Sequence, residues 1–101
     1  MIQKKNIIFI EKNGLLEIDI LPISDWNGFS KIIQFLEKYY DAEVLESFDG
    51  IWSRNCKLRI KNNSIKLTHD DFSNTIESLS KQDNDIVKLI GKDLEERLKG
   101  M

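Results

Sequence analysis

An asparagine-glycine pair set between two alternating apolar runs leaves a chain few choices. Both residues accept positive φ at low cost, so the pair favours the two-residue turn that joins antiparallel strands. Here Asn13-Gly14 separates residues 6–11 (NIIFIE) from residues 15–21, where Leu16, Ile18 and Ile20 alternate with Glu17 and Asp19. Pro22 closes the second run, because proline has no N–H to give a ladder. The pattern recurs twice. Asp49-Gly50 stands as a turn between a short run at 42–48 and a longer one at 51–60. The turn at 61–64 leads into 65–69, with Ile65 and Leu67 inward. In the 51–60 run Trp52, Cys56, Leu58 and Ile60 share one parity, broken only by Arg54. Residues 72–79 are rich in Ser, Thr and Asn and read as one more strand or an extended segment; a helical turn through Ile76 and Leu79 is the alternative.

Two stretches keep a helical period instead. After Ser24 or Asp25 as a cap, Trp26, Phe29, Ile32, Ile33, Leu36, Tyr39 and Tyr40 recur every three or four residues, with Lys31, Gln34, Glu37 and Lys38 opposite. Gly28 weakens the first turn of that helix. Near the end of the chain, Ile86, Leu89, Ile90, Leu94 and Leu98 repeat in the same way after Asp83, Asn84 or Asp85, and Gly100 stops the helix. The order is ββα-βββ(β)-α. It predicts an α+β fold: an antiparallel sheet of five to six strands with two amphipathic helices packed on one face.

With 101 residues there is room for a single domain, 1–101, and its 41% hydrophobic and 32% charged content is that of a globular protein. A formal net charge of −2 argues against nucleic acid as a partner. Cys56 is the sole cysteine, so no intramolecular disulfide forms. The apolar residues 7–10 stop at Glu11, too early for a signal peptide or a membrane span, and the expected location is cytoplasmic, without a membrane partner.

Catalytic chemistry finds little to work with. His69-Asp70-Asp71 resembles part of a metal-ligand set, but a stable centre takes three or four donors and this chain has one histidine. Cys56 with His69 is a conceivable nucleophile pair, yet Cys56 has inward parity, where a thiol is inert. The glycines at 14, 28, 50, 91 and 100 are too scattered for a phosphate loop. The expectation is a protein that is not an enzyme and uses no cofactor or metal.

Charge placement is more telling. Asp41, Glu43, Glu46 and Asp49 have no base among them, whereas residues 50–69 carry only positive charges: Arg54, Lys57, Arg59, Lys61 and Lys66. Residues 70–85 return to acids, with Lys81 the exception. Acids of one strand pairing with bases of the next is one reading. The other is an acidic surface at 41–49 and 70–85 that docks on a basic partner. Trp52, beside a turn, reads as a core lid or as an interface anchor.

The stretch from Asp25 to Ser78 also resembles a family: small immunity proteins encoded beside bacterial polymorphic toxins, including contact-dependent growth inhibition systems. The matching elements are Asp25-Trp26 opening a helix, Ala42-Glu43-Val44 starting a strand, Gly50-Ile51-Trp52-Ser53 at a turn, and Leu67-Thr68-His69-Asp70-Asp71-Phe72. The resemblance implies a non-catalytic protein that binds and occludes a cognate toxin domain, such as a nuclease. On that reading the partner-binding residues are Glu43, Glu46, Asp49, Asp70 and Asp71, with Trp52 and Phe72 as apolar anchors, and the free protein is a monomer or homodimer. The alternative is a small adaptor or homodimerising domain of a housekeeping complex.

Overall fold

The computed structural model describes residues 6–70 and 73–99. Six strands form one antiparallel sheet: β1 (Ile7–Lys12), β2 (Leu15–Ile20), β3 (Glu43–Asp49), β4 (Ser53–Ile60), β5 (Asn63–Asp70) and β6 (Ser73–Ser78). Helix α1 (Trp26–Tyr40) lies between β2 and β3 in sequence, and α2 (Asn84–Leu98) follows β6. The α+β architecture read from the sequence is the one observed, and the segment after residue 72 is a strand.

The strand order is β1-β2-β6-β5-β4-β3. Helix α1 therefore carries the chain from β2 across the sheet to its far edge, and β6 fills the gap by pairing with β2 through Glu17, Ile18 and Asp19. Alternation places Ile18, Ile76, Leu67 and Cys56 in one row across β2, β6, β5 and β4, all buried on the helix side. Phe29, Ile32 and Leu36 of α1 and Val87, Ile90, Leu94 and Leu98 of α2 close over this row. The opposite face carries no helix. Its middle row reads Glu17, Glu77, Lys66, Lys57, Glu46, a mixed ladder of charge.

Asn13 and Gly14 both have positive φ (53° and 81°), and Lys12 pairs with Leu15, so the first hairpin is the tight turn its sequence encodes. The next two turns differ from expectation. The 60–63 hairpin turns on Lys61-Asn62 alone, with Lys61 at φ 56°, and Asn63 and Ser64 already belong to β5. Asp49-Gly50 is not the tip of its hairpin: Asp49 pairs with Arg54, and Gly50 N–H donates to Ser53 O at 2.7 Å, leaving Ile51 and Trp52 as the two turn residues. Strand β4 accordingly starts at Ser53, not at Ile51.

Both helices are pinned to the sheet by an asparagine. Asn84 donates from Nδ2 to Gly14 O at 2.7 Å and accepts from Leu16 N–H at 2.9 Å, tying the start of α2 to the first hairpin. Asn74 on β6 donates to Ile23 O (2.7 Å) and Asp25 O (3.1 Å), while its Oδ1 meets His69 Nδ1 at 2.9 Å. Asp25 caps α1 by accepting from Gly28 N–H at 2.8 Å. A Cβ on Gly28 would press on that same carboxylate (2.6 Å from Oδ1) and on Ile23, so glycine here is required by close approach. Asp83, by contrast, spends its carboxylate on Ser64 N–H and Ser80 Oγ and gives α2 no side-chain cap. On α2 the buried face includes Val87 and Gly91, while Leu89, expected inward, is exposed. Gly100, read as the helix stop, lies outside the described residues.

Candidate functional site

Every residue of β3 is exposed. The strand is the outer edge of the sheet, and the helical layer stops short of it: α1 packs on β5 and α2 on β1, β2 and β6. The strand also changes register between Val44 and Glu46, a bulge that leaves Leu45 as the extra residue. From that point the chain runs to the hairpin tip through Phe48, 62% exposed, to Ile51 and Trp52, at 82% and 80%. Neither Ile51 nor Trp52 has the positive φ that makes Asn or Gly the usual choice in a two-residue hairpin turn, so the backbone admits these bulky residues here. Two bulky apolar side chains at a tip contribute nothing to the core, so the core-lid reading of Trp52 is overturned by its exposure.

The neighbourhood of the tip is ordered from the helix side by Arg54. Its guanidinium bonds Asp49 (Nε to Oδ1, 3.0 Å), Trp26 O (3.0 Å) and Ser30 Oγ (3.2 Å), and stacks 4.9 Å from the Trp26 ring and 4.5 Å from Phe29. Arg54 therefore does not break the parity of β4. It points inward like Cys56 and Leu58, burying its stem under α1 and keeping its head paired. Trp26 in turn meets His69 edge-on at 5.6 Å. The base of the hairpin, the first turn of α1 and the last residues of β5 thus pack together at one end of the sheet.

The sequence-derived site residues divide between the two faces. Glu43 and Glu46 lie on the open face, opposite Arg59 and Lys57. Asp49 lies on the helix side with Arg54. Asp70 pairs with Ser53 on the open face, next to the tip. Asp71 and Phe72 lie outside the described residues. Asp49, Trp52 and Asp70 thus share the tip end of the sheet on different faces, while Glu43 sits at the far end of β3, about 20 Å away at a strand rise of about 3.3 Å per residue. Cross-strand pairing of acids with bases is observed: Arg59 with Glu43 at 2.8 Å, Arg54 with Asp49 at 3.0 Å and Lys66 with Glu77 at 4.0 Å. Glu46 makes no ion pair among the described residues. Phe48, Ile51, Val44 and Leu45 are not singled out by the sequence, where they read as ordinary strand residues; the edge position of β3 exposes Val44, Leu45 and Phe48, and the turn exposes Ile51.

The pairs weighed for catalysis are held otherwise. Cys56 is fully buried, and burial first, then the charges of Glu37 and Asp49, push its thiol pKa upward, away from nucleophilic thiolate. His69 is buried with Nδ1 engaged by Asn74. Among the described residues no three His, Cys, Asp or Glu side chains converge as a metal site, and no helix is long and apolar enough to cross a membrane.

Compared with protein families, curated proteins and solved structures, the chain matches none of them.

Proposed function

We propose that this is a non-catalytic immunity protein, which binds a cognate bacterial toxin domain and occludes its active cleft through the β3–β4 hairpin and the neighbouring end of the sheet. The observation that carries the reading is the pair Ile51-Trp52, two large apolar side chains exposed at a hairpin tip, where neither adds to the core. Trp anchors of this kind, with an Arg close by, dominate the energetics of protein interfaces. Two elements of the family resemblance, Asp25-Trp26 and Leu67–Asp70, touch through Trp26 and His69, and Arg54, which follows Gly50–Ser53 in the chain, bonds and stacks on Trp26. Glu46, without an ion pair among the described residues, and Asp70, beside the tip, suit a partner with a basic cleft, as a nuclease needs to hold phosphate, and would speed encounter.

The test is co-expression with the protein domain encoded immediately upstream. This reading expects that domain to arrest growth alone, growth to be restored by this protein, and the two to co-purify as a stable complex. A harmless upstream domain, or rescue without a complex, contradicts it. A preparation that instead self-associates through the same hairpin favours the homodimerising alternative.

A further inference from the structure

Resting on that reading of the hairpin as the docking surface, the backbone phase of β3 says how a partner engages it. In an antiparallel pair, residues alternate between those whose N–H and C=O face the neighbouring strand and those whose groups face away. The Gly50 N–H to Ser53 O bond makes that pair a bonded one. Counting back along the register, Phe48 opposite Asn55 and Glu46 opposite Lys57 are bonded pairs, while Asp49 opposite Arg54 and Ser47 opposite Cys56 are not. Ser47 and Asp49 therefore direct their N–H and C=O groups outward from the edge, and both residues are exposed. Flanking them on the open face, Glu46 offers a carboxylate without an ion pair, and two residues on Phe48 offers an exposed ring.

We propose that β3 takes up an extended, basic segment of a partner protein as a seventh strand, bonded to the backbone of Ser47 and Asp49, with a cation beside Glu46 and an apolar residue beside Phe48. Main-chain bonds supply affinity in such strand addition, and alternate side chains supply selectivity. A second copy of this chain fits worse. Strand β3 contains three carboxylates and no base, so its own edge brings Glu46 no cation in any register. The bulge at Leu45, by twisting the edge, further disfavours flat self-pairing.

The test uses a fluorescein-labelled peptide, KTVTKTVTK, and its acidic counterpart ETVTETVTE, titrated against the full chain by fluorescence anisotropy. The basic peptide is expected to bind and the acidic one not. Ser47→Pro removes only an outward N–H, a change edge strands accept, and is expected to weaken binding at least about tenfold. Glu46→Lys is expected to invert the peptide preference. Should Ser47→Pro fail to fold, hydrogen exchange on the unaltered protein decides. The peptide is expected to protect the Ser47 and Asp49 amides, with Glu46 and Phe48 protected already. Absence of binding, equal affinity in Ser47→Pro, or self-association abolished by Ser47→Pro would each overturn strand addition. The toxin complex separates this outcome from the wider reading: a complex weakened by Trp52→Ser but indifferent to Ser47→Pro leaves the docking surface standing without the added strand. Peptide binding with no rescue of growth leaves strand addition standing without the immunity function.

Discussion

Replacing Asn74 with alanine removes a side chain that joins three parts of the fold at once. Its Nδ2 holds the Ile23 and Asp25 carbonyls at the entrance to α1, and its Oδ1 holds His69 Nδ1 on β5. Each such bond contributes about 1 kcal/mol net, and each buried partner left without one costs about 1–3 kcal/mol. The two carbonyls lie near the chain surface and recover part of that from water, whereas His69 is buried. The expected loss is about 3–4 kcal/mol, a large share of the roughly 5–15 kcal/mol available to a domain of this size. Asn74→Asp should do no better, since a carboxylate oxygen would then face two carbonyl oxygens. Urea unfolding followed by tryptophan fluorescence reads the change, and Trp26, beside His69, reports on the site directly. A loss under 1 kcal/mol for Asn74→Ala would refute the idea that this residue locks α1 to the sheet.

Phe29→Ala, at the centre of the core, should cost about 3–5 kcal/mol in the same assay. Ile51→Ser and Trp52→Ser should each change stability by less than about 0.5 kcal/mol, as surface substitutions do, and raise solubility. Asp93 gives a pH signature. It accepts from Tyr40 Oη at 2.6 Å and Arg97 Nε at 2.9 Å, and these partners, Tyr40 foremost, hold its pKa below the ordinary value of 3.8. A depressed carboxylate stabilises the folded state above its unfolded pKa, and that contribution disappears as pH falls through the folded one. Tyr40→Phe should therefore raise the Asp93 pKa in an NMR titration and flatten the acid limb of the stability curve below about pH 4; an unmoved Asp93 would contradict this.

How much of this was legible in the sequence depends on the range of the interaction that decides each feature. Asn13-Gly14 declared its turn because both positive φ angles are local properties of those residues. The helices declared themselves through period, although the buried stripe of α2 is turned toward Val87 and Gly91, where Phe9 crosses, and away from Leu89. Ile51 and Trp52 looked like the start of a strand because apolar residues near a strand imply burial, and only the Gly50–Ser53 bond puts them at the tip. Arg54 looked like an interruption because sequence parity counts charge as outward; stacking on Trp26 and Phe29 reverses that. The edge position of β3 follows from β2 pairing with β6 across more than half the chain, a contact without local signature. The acids near the tip were found by charge alone. That Glu46 lacks an ion pair while Glu43 and Asp49 have theirs required the register.

The proposed function requires the hairpin tip to be a binding surface that the fold itself does not need. The most direct measurement is the affinity of the Trp52→Ser protein for the domain encoded immediately upstream, by isothermal titration calorimetry, beside its unfolding free energy. Affinity is expected to fall by about 30-fold or more, the equivalent of about 2 kcal/mol at an interface hot spot, with unfolding changed by less than about 0.5 kcal/mol. Undiminished affinity in a stably folded Trp52→Ser protein would contradict the proposed function.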